Sequence, residues 1–198
     1  MRLAWIGAAA LAATLVAFAQ PKQPAQPSAA PAPQLTTIDW AEVRADIKNQ
    51  RLQRVQQMKI AIAPNAATPS LPMLLPFEPT LLATTANVFP RPDSYAASMR
   101  AGDITVEVHG ERRVTVLAKD DPLMRLGSGK LTGMVAGRAV PIAIDKTEGG
   151  FDVTFNRFGA AYLISIECRQ AETDERCTKP AFIQKLAERM ALAGPDAP

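Results

Sequence analysis

The chain has 198 residues, 47% of them hydrophobic and 21% charged. That length suits one domain, and that balance excludes a disordered or collagen-like chain. The formal net charge is only +3, which gives little support to a basic nucleic-acid-binding face.

The N-terminus carries the strongest signal. Met1-Arg2 is a short positive region, Leu3 to Val16 is uncharged and rich in Ala and Leu, and Ala17-Phe18-Ala19 is a small-x-small cleavage pattern. Residues 1–19 therefore read as a secretory signal peptide cut before Gln20. The alternative is an uncleaved anchor, but the run is shorter than the roughly 20 apolar residues that span a bilayer comfortably. No cysteine lies near the cut and no Arg-Arg pair precedes the run, which argues against a lipid anchor and the twin-arginine route. Removing Arg2 takes the basic count from 22 to 21 against 19 acidic residues, a net charge of +2. The composition has the general look of a Gram-negative periplasmic protein, and a periplasmic or secreted location is expected.

Residues 20–35 form a Pro/Ala-rich linker, and residues 36–198 are expected to form a single α+β domain. Gln20 to Gln34 holds five prolines among Ala and Gln, a composition that favours extended polyproline II rather than a packed core. A first helix is expected from Asp39 to about Ile60. Asp39 and Glu42 make a capping-box pattern, Ile38 and Val43 a hydrophobic staple, and Trp40, Val43, Ile47, Val55, Met58 and Ile62 fall on one broad face. Its arginines flank an ordinary docked face rather than a membrane-surface one, because acidic residues are mixed among them.

Residues 64–92 carry seven prolines and read as irregular. Within them Leu71, Met73, Leu74 and Leu75 form an apolar run that proline bars from helix or central strand. The run is expected as an edge strand or an extended segment on the core, and as a candidate partner-binding patch. Ser94 to Met99 reads as a strand in which Tyr95, Ala97 and Met99 alternate, with a short helix capped by Asp93 as the alternative. From Ile104 the pattern is β: Ile104, Val106 and Val108, then Val114 and Val116, then Leu131 to Ala136, Val140 to Ile144, Phe151 to Phe155 and Ala160 to Cys168. The short connections predict an antiparallel β-meander of about five to seven strands, packed with an N-terminal and a C-terminal helix. The C-terminal helix is expected to be capped by Thr178, to bury Phe182, Ile183, Leu186, Met190 and Leu192, and to stop at Gly194-Pro195.

Cys168 and Cys177 are the two cysteines. In an oxidising compartment two nearby thiols pair, and this bridge would staple the C-terminal helix to the sheet. A redox pair lacks its C-x-x-C spacing, and a zinc site lacks ligands.

His109 is the single histidine and shares a strand face with Glu107. An imidazole–carboxylate pair is chemically competent, but no G-x-S-x-G elbow supplies a nucleophile, and an exposed strand residue is the plainer reading. Gly127-Ser128-Gly129-Lys130 fails the phosphate-loop pattern, which needs Gly where Met124 stands and Ser or Thr where Leu131 stands. Asp120-Asp121 with Asp145 or Glu148 lacks the oxygen-ligand spacing of a calcium loop. Arg112-Arg113 with Arg138 or Arg157 would make an anion site only if the fold converged them.

The expectation is thus a non-enzymatic binding or structural accessory module of the cell envelope. No catalytic residue, metal or cofactor is nominated, and the partner is another envelope protein. Nucleic acid is not a partner, and no integral membrane span remains after cleavage. The alternative is a small envelope hydrolase using carboxylates or the Glu107–His109 pair.

Overall fold

The computed structural model describes residues 33–52, 59–62, 69–115 and 131–193, all within the unit Pro31–Pro198. The expected signal peptide, most of the linker, Val55, Met58, the Asp120–Lys130 turn and loop, and the Gly194-Pro195 stop lie outside them.

Strand β1 (Gln34–Leu35) precedes helix α1 (Trp40–Leu52), strand β2 (Lys59–Ile62), strand β3 (Met73–Pro76) and helix α2 (Pro79–Leu82). Then come β4 (Thr85–Pro90), β5 (Ser94–Ala101), β6 (Ile104–Glu111), β7 (Arg113–Val114), β8 (Leu131–Val135), β9 (Arg138–Lys146), β10 (Gly150–Arg157) and β11 (Ala160–Cys168). Helices α3 (Glu175–Thr178) and α4 (Ala181–Glu188) and strand β12 (Met190–Ala193) close the chain.

The main sheet has eight strands in the order β2-β4-β5-β6-β11-β10-β9-β8. Seven run antiparallel, and β2 joins the edge parallel to β4. The expected single meander is therefore two. The run β4-β5-β6 and the run β8-β9-β10-β11 lie side by side, joined through the β6–β11 pair, where Leu163 faces His109. Two hairpins turn through paired left-handed residues, Ala136-Gly137 (φ 48° and 77°) and Phe158-Gly159 (φ 53° and 80°), the geometry whose twist matches antiparallel strands. At Gly159 a Cβ would stand 2.1 Å from the Thr37 carbonyl oxygen, so glycine is required there twice over.

Helix α1 starts as expected, with the Glu42 N–H donating to Asp39 Oδ1 at 2.9 Å. The return arm of the capping box is absent: the Asp39 N–H donates to the Phe158 carbonyl, and Glu42 turns to arginines. The helix does not reach Ile60. Residues 59–62 are the parallel edge strand, where alternating β-branched residues favour extended backbone. At the other end, the expected C-terminal helix stops at Glu188, because Met190–Ala193 pairs antiparallel with Met73–Pro76. A strand partner for β3 overrides helical periodicity at Met190 and Leu192.

One face of the main sheet carries the core. Helix α4 packs on β8, β10 and β11, α2 on β5, and β3 on β6. Tyr95 ties this layer together. Its hydroxyl accepts from the Leu74 N–H at 2.9 Å and donates to the Leu74 carbonyl at 2.8 Å. The phenol thereby satisfies the backbone edge of β3 that β12 leaves free. Its ring crosses Gly110, where a Cβ would lie 2.3 Å from Cε1. Burial raises the Tyr95 pKa far above the ordinary phenol value.

Leu71, Met73, Leu74 and Leu75 are all buried. The extended segment lies on the core as expected, but the partner-binding patch assigned to it is corrected: its four side chains are core and offer no surface. Two further expectations are revised here. Residues 85–90, read as irregular, form a strand one in from the edge, parallel to β2 and antiparallel to β5, with Pro90 at its end. Gln34 and Leu35, read as the end of the linker, pair with Val114 and Arg113.

Candidate functional site

Alternation splits the sheet residues into two sets. Ile104, Val106 and Val108 of β6 face the core, while Thr105, Glu107, His109 and Glu111 face outward. The pairing register then aligns outward residues in rows that cross the strands. One row runs Phe89, Ala96, His109, Leu163, Thr154, Ala143. On one side lies the row Asn87, Ser98, Glu107, Ser165, Asp152, Asp145. On the other lies Ser94, Glu111, Ala161, Asn156.

A cleft of ≈ 560 Å³ opens on this outer face between the first and third rows. Ala143, Ala161 and Leu163 line it together with Pro141, and His109, Glu111, Thr154 and Asn156 supply its polar groups. Small alanines leave the room, and Leu163 supplies apolar surface. This volume falls within the range of ligand clefts, and an apolar lining with a few convergent polar groups is their usual make-up.

His109 and Glu107 share the outer face as expected, with Nε2 3.6 Å from Oε2 and both side chains 47% exposed. The nearest row contains Ser165, whose hydroxyl donates to Asp152 at 2.6 Å rather than to the histidine. Asp152 stands directly opposite Asp145 on the same face.

The four arginines named from sequence are each engaged by a neighbouring carboxylate, carbonyl or hydroxyl. Arg157 is buried on β10; it pairs with Asp46 of α1, donates to the Val135 carbonyl at 3.1 Å, and holds its Nε 3.2 Å from Glu42. Its guanidinium carbon lies 4.6 Å above the Phe158 ring. Arg138 reaches the same Glu42 at 3.7 Å. Arg112 donates to the Thr36 carbonyl and to Ser70 Oγ, and Arg113 pairs with Asp93. Arg138 and Arg157 do converge, but on carboxylates that neutralise them, so they make no anion site. Glu78, buried, takes Lys185 at 3.0 Å and Arg189 at 2.9 Å and so fastens α4. Among the described residues no group of three or more His, Cys, Asp or Glu is placed to hold a metal ion.

Cys168 and Cys177 are joined by a disulfide. It links the end of β11 to α3, where Asp174 caps the helix by accepting from the Arg176 N–H at 2.9 Å. The Arg176 side chain also donates to Asp174, and these bonds hold that carboxyl down at about 2.

Sequence reasoning named His109 and Glu107 but missed Glu111, Ala143, Thr154, Asn156, Ala161 and Leu163. Each showed only the two-residue alternation of its strand. The row they form requires knowing that β6 pairs with β11, fifty residues away along the chain. The chain matches no family model, no curated protein and no solved structure.

Proposed function

We propose that the chain is an exported, non-enzymatic binding module of the cell envelope, periplasmic or secreted, that receives its partner on the outer face of the sheet. The observation that carries this reading is the ≈ 560 Å³ cleft on that face, lined by four different polar groups around small apolar residues. A binding cleft needs such groups to orient an occupant; a hydrolytic site needs a nucleophile aligned with its base. Export is supported by the disulfide, since such bonds persist in oxidising compartments. Among the described residues no helix is long and apolar enough to cross a membrane.

The test is Ala161→Trp, which fills the cleft from an outward strand position. Purified wild type and variant serve as baits against the envelope fraction of the native cell, followed by mass spectrometry. A partner captured by wild type and lost with a variant of unchanged circular dichroism supports the reading; identical capture by both overturns it. N-terminal sequencing of exported protein is expected to begin at Gln20, and an intact Met1 to Ala19 segment in the membrane fraction would mean an anchor.

The 3.6 Å approach of Glu107 to His109, which lines the cleft, favours one second reading, a small hydrolase. Replacing His109 by Ala separates the two. On the binding reading it changes stability by no more than about 0.5 kcal/mol, as for most surface substitutions, and weakens cleft-dependent capture, because His109 is one of the cleft's four polar groups. Loss of a cellular phenotype with capture intact would favour hydrolysis.

A further inference from the structure

We infer that the occupant of this face is a basic amphipathic segment of a partner protein, lying across the strands along the Phe89–Ala143 row. The inference rests on the binding reading above and names its partner's chemistry.

The first support is the shape of the apolar stripe. Phe89 is 60% exposed and starts a row whose apolar members continue with Ala96, Leu163 and Ala143, with His109 and Thr154 as polar interruptions. The row spans six strands, hence five intervals of about 4.8 Å, or roughly 24 Å. That is the length of an α-helix of about 16 residues at about 1.5 Å per residue. Neighbouring rows lie two residues along each strand, about 7 Å to either side, within reach of the Lys and Arg side chains that flank a helical stripe.

The second support is charge. Across strands β4, β5, β6, β11, β10 and β9 the outward positions carry Glu107, Glu111, Asp145, Asp152 and Glu167 against Arg100, with Arg113 of β7 beyond Glu111 engaged by Asp93, although the whole chain is net positive at +3. The acidic groups flank the stripe on both sides, with Glu107, Asp152 and Asp145 on one and Glu111 on the other. An acidic or neutral segment would leave them facing like charge or dry surface; a basic one pairs them.

The third support is a like-charge pair placed on this face of the free protein. Asp145 and Asp152 are registered opposite each other on the same face, an arrangement that destabilises a sheet. Asp152 accepts from Ser165 Oγ, a neutral donor that does not cancel the charge. A cationic side chain laid over the pair meets two carboxylates placed opposite each other, which contributes to affinity.

The experiment uses three fluorescein-labelled 16-residue peptides and the purified protein, read by anisotropy. One has a leucine stripe flanked by lysines, one the same stripe flanked by glutamates, and one the lysine composition scrambled so that no stripe forms. The lysine–leucine peptide is expected to bind saturably, more weakly as salt rises. The triple variant Glu107→Gln, Asp145→Asn, Asp152→Asn should weaken it roughly tenfold, and Leu163→Lys should abolish it. Asp145→Asn alone should raise the melting temperature of the free protein. Equal binding of the glutamate twin, equal binding of the scrambled peptide, or an unchanged affinity in the triple variant would each overturn the basic-segment assignment. Those results leave the cleft reading to its own test. If Ala161→Trp still abolishes native capture while no lysine–leucine peptide binds, the cleft stands and the basic segment is wrong.

Discussion

Removing the Cys168–Cys177 bridge tests how the C-terminal layer is held. The bridge closes a loop with a sequence separation of 9, about ten residues counting both cysteines. The chain-entropy relation for that length gives about 9 cal/mol/K, or about 2.7 kcal/mol at 25 °C. For a domain of this size each kcal/mol moves the melting temperature by about 2–4 °C, so the double variant Cys168→Ala, Cys177→Ala should melt about 5–11 °C lower. The release should be local. Helix α4 keeps its buried Ile183, Leu186 and Ala187 and its clamp by Glu78 on Lys185 and Arg189. Helix α3 has only Cys177 buried and one further tie, Lys146 Nζ donating to the Cys177 carbonyl at 2.5 Å. Thermal unfolding by circular dichroism gives the magnitude, and hydrogen exchange gives the place. Amides of Glu175–Thr178 and of Gly150, beside which Cys177 Sγ lies, should lose protection before those of β5 and β6. A drop of under about 2 °C, or protection lost equally across β5 and β6, would refute the local-staple argument.

Tyr95→Phe strips the Leu74 N–H and carbonyl of their partner in the core, and urea unfolding should show a loss of about 2–3 kcal/mol; a change under about 0.5 kcal/mol would mean that water replaces the phenol. Asp46→Ala leaves Arg157 buried beside only Glu42, and the same assay should register about 3 kcal/mol or more. Arg157→Met with Asp46→Leu should recover most of that loss, because an apolar pair needs no desolvation. Asp174, held at about 2 by Arg176, contributes stability that is complete above its unfolded pKa, near 3.8, and is lost as pH falls toward 2. Carboxyl NMR should place its midpoint near 2, and a midpoint near 3.8 would dissolve the Arg176 interaction.

Local rules were enough wherever partners are near in sequence. The Asp39 cap, the alternation of Tyr95, Ala97 and Met99, turns near Gly137 and Gly159, and the pairing of two cysteines nine apart all follow from the few residues around them. The class, an antiparallel sheet with short helices, follows too. Three features depended on contacts distant along the chain. Met190–Ala193 has helical spacing yet became a strand because Met73–Pro76 offered it a ladder. The Leu71–Leu75 run has the composition of a sticky patch, yet it is core because Tyr95 and Tyr162 bond its backbone from below. The outer-face cleft exists only because β6 turns away from its own continuation and pairs with β11, which sets His109 beside Leu163. A strand's alternation says which residues share a face. Only the register between strands says which of them meet, and that register is decided by burying the opposite side.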